Sequence, residues 1–293
     1  MKPHLIELSN NSGLKVIFSS LGASIVEIYL DGVLLTMSPI DIDDLNREDI
    51  YYGKTIGPIA NRVKDGLVVI NNKSYFLPLN EKGVSNHSGS DGLSNKIFDY
   101  QIKDKQVIFE YRYKGVLPGK ALYRIIYTLD GCSLRIDLEA IPKEDTVIAL
   151  TNHTFFNLGE ACIDNLSLAI PADEYIEADP NNLVPLQKKP INDCLDFNKE
   201  KTLRDSYDHC YFLREKKAYL KSDKYKLEIE TDYACLQIYT DNFVDNVKVK
   251  NTSSFTRRGI AIEPEDSLLD RSLIKNGEQY HRFIVYKFLK LYS

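Results

Sequence analysis

The sequence predicts one large, mostly antiparallel β domain spanning residues 1–293, with few short helices. Three observations predict it. Apolar and polar residues alternate with a period of two in run after run, turn residues punctuate those runs, and the 19 tyrosines and 12 phenylalanines suit a pleated, half-buried surface. In chain order, Asp31-Gly32 reads as a hairpin turn and Asp41 to Asp49 as a short helix. Asn71-Asn72 is a second hairpin turn. Val107 to Tyr113 alternates as a strand with one face on a core and one in water. Asp130-Gly131 is a third turn, leading into the alternating run Leu134 to Glu139. The polar stretch from Asp179 to Asp205 carries Pro180, Pro185 and Pro190 and reads as a long loop. Tyr225 to Glu230 alternates again. No sustained helical period and no internal repeat is present.

Size and composition bound the function. A chain of 293 residues buries roughly 75% of its unfolded surface, so a core forms without metals or crosslinks. The hydrophobic fraction of 43% and charged fraction of 27% are those of an ordinary soluble protein. A net charge of −5 argues against nucleic acid as a partner, which calls for a basic face. The five cysteines are scattered, odd in number and without a CxxC pair, which favours reduced thiols in a reducing compartment. No apolar run approaches the roughly 20 residues needed to span a bilayer, and Met1 to Glu7 lacks the pattern of a signal peptide. The expectation is a cytoplasmic protein, monomer or homodimer, with no membrane or nucleic-acid partner.

Nucleotide, zinc-protease and serine-hydrolase signatures are missing, and the five histidines show no metal-ligand spacing. Six segments instead set polar residues among apolar ones. In Thr151-Asn152-His153-Thr154-Phe155-Phe156-Asn157-Leu158, an unbroken strand places His153 on the face of Val147 and Ala149, either as a satisfied core histidine or as a general acid. In Gly259-Ile260-Ala261-Ile262-Glu263-Pro264, Glu263 reads as the strand's last position, either solvated or opening into a cleft, where lost hydration raises its pKa as a general base requires. Arg62, in Gly57-Pro58-Ile59-Ala60-Asn61-Arg62-Val63, is either a clamp for hydroxyls or a surface ion-pair partner. Asn86-His87-Ser88-Gly89-Ser90-Asp91-Gly92 reads as a loop. Asp208, in Tyr207-Asp208-His209-Cys210-Tyr211-Phe212, needs partners if buried. Gln237 and Tyr239 share a face in Leu236 to Phe243.

Taken together and in this order, the six segments resemble the aldose 1-epimerase (galactose mutarotase) family, from about Gly57 to Glu265. The His153 and Gln237 segments match almost unaltered. The resemblance implies a large antiparallel β-supersandwich with an open cleft, a free hexose such as galactose or glucose as substrate, and no cofactor. It implies Glu263 as general base and His153 as general acid, on opposite sides of the sugar, with Asn61, Arg62, His87, Asp208 and Gln237 positioning it. The chain departs from the family at Gly57-Pro58, His87-Ser88-Gly89, Leu93-Ser94-Asn95 and Pro264-Glu265-Asp266, which rewrites the rim of the cleft. Three alternatives stand beside this reading. A hexose-6-phosphate 1-epimerase would need converging Arg and Lys. A non-catalytic sugar-binding protein of the same fold would be free to lose its acid or base, and a glycosidase would need two carboxylates.

Overall fold

The computed structural model describes residues 2–291. Its strands form two large antiparallel sheets and several small ones. The larger sheet has nine strands, led in spatial order by Asp99–Lys103, Gln106–Arg112, Leu122–Asp130, Ser133–Ile141 and Tyr280–Lys290. The second has six, in the order Phe155–Phe156, Ile260–Glu265, Cys235–Tyr239, Asp208–Leu213, Ala172–Ala178 and Pro185–Pro190. A four-stranded sheet from Leu5 to Leu34 packs on the same core. The helical segments of the described residues are short 3₁₀ turns.

Alternation explains how the sheets meet. In the six-stranded sheet, Ile260, Ile262, Leu236, Ile238 and Tyr211 join Ile125, Ile136 and Tyr286 of the nine-stranded sheet in one buried cluster. Phe156 seals the contact, its ring 4.9 Å from that of Tyr286. Because side chains alternate, Glu263, Gln237 and Asp208 must leave the opposite face. One sheet thus supplies both the core and a second, polar surface.

The turns at Asp31-Gly32 and Asn71-Asn72 have all four residues at positive φ, as two-residue hairpins require. At the third hairpin Asp130 still pairs with Ser133, so the loop is Gly131-Cys132, one residue later than the Asp-Gly signal suggests. Asp41 caps the short 3₁₀ helix Ile42–Asn46 by accepting from the Asp43 N–H.

Three expectations need correction. The stretch from Asp179 to Asp205 is not all loop: Pro185–Pro190 pairs with Ala172–Ala178. It is the edge strand, so prolines without an N–H are tolerated there. The run around His153 is broken into Thr146–Val147, Thr151–Asn152 and Phe155–Phe156, so His153 sits in a gap between short strands. Glu263 does not end its strand, which continues through Pro264 to Glu265. The Pro264 carbonyl faces away from the neighbouring strand and accepts from Thr151 Oγ1 at 2.7 Å. Backbone N–H and C=O of one residue point the same way in an antiparallel ladder, so the missing N–H removes no ladder bond.

Candidate active site

Glu263, on the odd-numbered face of the strand Ile260–Glu265, lines a cleft of about 440 Å³. Register places Gln237 directly beside Glu263, and Cys210 beside Gln237. Directly opposed residues of an antiparallel pair share a face, so three strands present one polar row.

His153 reaches this row from the gap before Phe155. Its backbone is fixed at both ends: its N–H donates to the Lys54 carbonyl and its carbonyl accepts from the Gly53 N–H, each at 2.9 Å. Gly53 has φ +64°, and a Cβ there would lie 1.6 Å from the Ile25 carbonyl oxygen, so only glycine lets the two backbones approach. The imidazole packs among Phe155, His87 and Tyr51, with ring centroids at 5.0, 5.3 and 5.7 Å. Its Nε2 lies 3.4 Å from Glu263 Oε1. The acid and base expected on opposite sides of a sugar therefore stand side by side in the cleft.

A second wall comes from the paired strands Arg62–Lys64 and Val84–Asn86. Just outside them Asn61 and His87 adopt φ of 62° and 55°, a region uncommon for residues other than glycine and found repeatedly at functional sites. The two residues lock one another: the Asn61 N–H donates to His87 Nδ1, and the His87 N–H to the Asn61 carbonyl, both at 3.2 Å. With Nδ1 accepting, the His87 proton resides on Nε2.

A polar chain joins the walls to that row. Asn61 Nδ2 donates to Gln237 Oε1 at 3.3 Å, and Gln237 Nε2 donates to Asp208 Oδ1 at 2.7 Å. Arg62 Nη1 stands 3.7 Å from Asp208 Oδ2, while its Nε donates to Glu81 at 2.9 Å. All seven residues expected from the sequence line this one cleft.

Burial governs their protonation. Glu263 is raised well above the usual carboxylate range, first by burial and then by the charges of Glu265 and Asp208, against the pull of Arg62. Burial brings His153 down to about 4. His87 is held well below its usual value by burial, with His153 and Arg62 adding to it. Asp208 is raised by burial, opposed by Arg62. The protein alone thus favours a neutral carboxylic acid beside a neutral imidazole. That arrangement holds the same number of protons as a carboxylate beside an imidazolium, so moving between them needs no proton from solvent.

Sequence reasoning missed several cleft residues. Tyr51 packs on both histidines, with its ring 4.7 Å from that of His87. Glu81 pairs with Arg62. Phe243, 68% exposed, lies parallel to Tyr239 at the mouth. The Leu236 to Phe243 segment held a signal for Phe243 only as its second aromatic residue, after Tyr239; Tyr51 and Glu81 had none. Among the described residues no cluster of three or more His, Cys, Asp or Glu side chains is placed to hold a metal ion, and no helix is long and apolar enough to cross a membrane.

The profile of the aldose 1-epimerase family matches residues 4–287. Mouse galactose mutarotase is 29% identical over 81% of this chain and 79% of its own length. The aldose 1-epimerase of Haemophilus influenzae is 27% identical over 89% and 86%. Among solved structures, a GalM/aldose epimerase homologue from C. elegans superposes with a TM-score of 0.92 at 25% identity, covering 99% of this chain and 100% of that one. Galactose 1-epimerase from Lactobacillus acidophilus gives 0.89 at 25% identity, covering 100% of both.

Proposed function

The chain belongs to the aldose 1-epimerase family, and from that premise we propose that it interconverts the α and β anomers of a free hexose such as galactose, with Glu263 as general base and His153 as general acid. The observation that carries this reading is the 3.4 Å contact between Glu263 and His153 in a cleft whose other polar groups suit a ring of hydroxyls.

Mutarotation opens a hemiacetal and closes it on the other face. Both atoms that exchange protons, the anomeric hydroxyl oxygen and the ring oxygen, are bonded to C1. An acid and a base side by side therefore reach both when C1 is presented to the pair. Glu263 as carboxylate takes the proton of the anomeric hydroxyl while His153 as imidazolium delivers one to the ring oxygen. The C1 to ring-oxygen bond breaks, C1 becomes an aldehyde, and the pair is left as carboxylic acid and neutral imidazole. Burial favours that state, so charge recombination assists ring opening. Rotation about C1–C2 exposes the other carbonyl face. His153 then takes the proton of the C5 hydroxyl as its oxygen attacks C1, and Glu263 returns a proton to the new anomeric oxygen. Each such group contributes roughly 10²–10⁴-fold.

Asn61, Arg62, His87, Asp208 and Gln237 position the sugar, donating and accepting through atoms already ordered by one another. Free sugar is favoured over a hexose 6-phosphate because Arg62 is engaged by two carboxylates. The core draws on residues from Ile6 to Phe288, which supports a single working unit. Five free thiols suit the cytoplasm, and a monomer or homodimer is the assembly expected there.

Polarimetry of freshly dissolved α-galactose tests the proposal. The protein accelerates the approach to equilibrium well beyond the spontaneous rate. No acceleration with galactose, glucose, xylose or arabinose overturns it.

A further inference from the structure

We propose that Glu81 is a specificity-determining residue: its carboxylate occupies Arg62 and so excludes anionic sugars, such as uronates and sugar phosphates, from the cleft. The proposal rests on the sugar-binding reading above and concerns which sugars that site admits.

The geometry is built for the purpose. Arg62 is the arginine on the cleft wall, and Lys82 is the other lysine or arginine lining it among the described residues. An unengaged guanidinium there would offer a fork of donors suited to a carboxylate or phosphate. Instead Nε donates to Glu81 Oε2 at 2.9 Å, and Nη1 faces Asp208 Oδ2 at 3.7 Å. Two carboxylates surround one cation, so an arriving anion meets net negative charge where it would seek positive.

Glu81 is also held in place. It sits on a tight turn in which it bridges to Val84. Asn80 pins that turn to the neighbouring strand, accepting from the Asn86 N–H at 2.7 Å and donating to the Asn86 carbonyl at 3.0 Å. The second oxygen of Glu81 accepts from Asn86 Nδ2 at 2.8 Å. Since Arg62 and Asn86 face each other in the ladder, one turn fixes the carboxylate against the guanidinium. The Glu81 side chain is 38% exposed and that of Arg62 only 15%, so the carboxylate both neutralises a largely buried guanidinium and stands where an arriving ligand meets it.

The test is Glu81→Gln, which keeps the shape and a hydrogen-bond acceptor for Arg62 while removing the charge. Calorimetry measures galactose, galacturonate and galactose 6-phosphate binding to wild type and variant, so the reading does not depend on turnover. The expected result is roughly a tenfold or greater gain in affinity for both anions relative to galactose, since like-charge juxtaposition is a strong discriminator. The gain should shrink at high salt, where charges are screened within about 3 Å at 1 M, and Glu81→Asp should restore exclusion. An unchanged ratio of anion to galactose affinity overturns the proposal. So does an equal change for all three ligands, which would make Glu81 a prop for Arg62 and nothing more. If wild type binds galactose but does not speed its mutarotation, the proposed activity fails while this inference stands or falls on its own ratio.

Discussion

Glu265 follows the proposed base by two residues, on the same face of the same strand. It is 2% exposed. Its carboxyl accepts from Asn61 Nδ2 at 3.4 Å and meets the Cys210 thiol, with the charges of Arg271 and Asp266 also acting on it. Burial raises its pKa from 4.5 to about 8. Because the folded value lies above the unfolded one, its contribution to stability is complete below pH 4.5 and is lost as pH rises through about 8. At about 1.36 kcal/mol per pH unit over that window, and flattening near its top, the loss between pH 6 and pH 9 comes to roughly 2.5 kcal/mol. Glu265→Gln removes the titration and keeps the shape. Denaturant unfolding of both proteins at pH 6 and pH 9 reads the effect of Glu265 together with that of its charge on Glu263 and Cys210, since groups away from it titrate in common. The variant gains roughly 2.5 kcal/mol on wild type between the two pH values. A difference between the two proteins that is the same at both pH values refutes the reasoning.

Other predictions follow from the same geometry. With His153 at about 4, below its ordinary value, kcat/KM stays level as pH falls from 7 to about 5 and drops only as the pair gains a second proton near 4; a polarimetric profile corrected for spontaneous mutarotation that breaks near 6.5 contradicts this. Arg258 is fully buried and donates to Asp241 at 2.6 Å and to Asp245 at 3.0 Å, so Arg258→Met strands a buried carboxylate and lowers stability by roughly 3–5 kcal/mol. Adding Asp241→Leu recovers part of that loss in denaturant unfolding. Arg62→Lys cannot address Glu81 and Asp208 from one planar fork; KM for galactose rises roughly tenfold, the scale of one charged hydrogen bond, with kcat moving less in initial-rate polarimetry.

What could be read from the sequence follows physical lines. Strands such as Ser133–Ile141 announce themselves because one face is wet and the other dry, and the hairpin turns because positive φ selects Asp, Asn and Gly. The His153 and Gln237 segments stood out as polar residues in apolar surroundings. Pro185–Pro190 was hidden because its prolines read as breakers, and only its place at the sheet edge makes them harmless. Glu263 was read as the last residue of a strand that runs two residues further, for the same reason: the orientation of Pro264 relative to its neighbours is a tertiary property. Glu81 and Tyr51 gave no signal, since what matters about each is a partner brought close by register or by packing. The contact of His153 with Glu263 joins residues 110 positions apart in a chain of 293, and no local pattern encodes it.

That contact is also where the account is most exposed. Initial rates of α-galactose mutarotation for Glu263→Gln, His153→Asn and the double variant test it directly. If one proton moves between the two groups as a unit, each single variant loses roughly 10²-fold or more, and the double variant is little worse than the poorer single. Near-normal turnover in either single variant, or losses that simply multiply in the double, contradicts it.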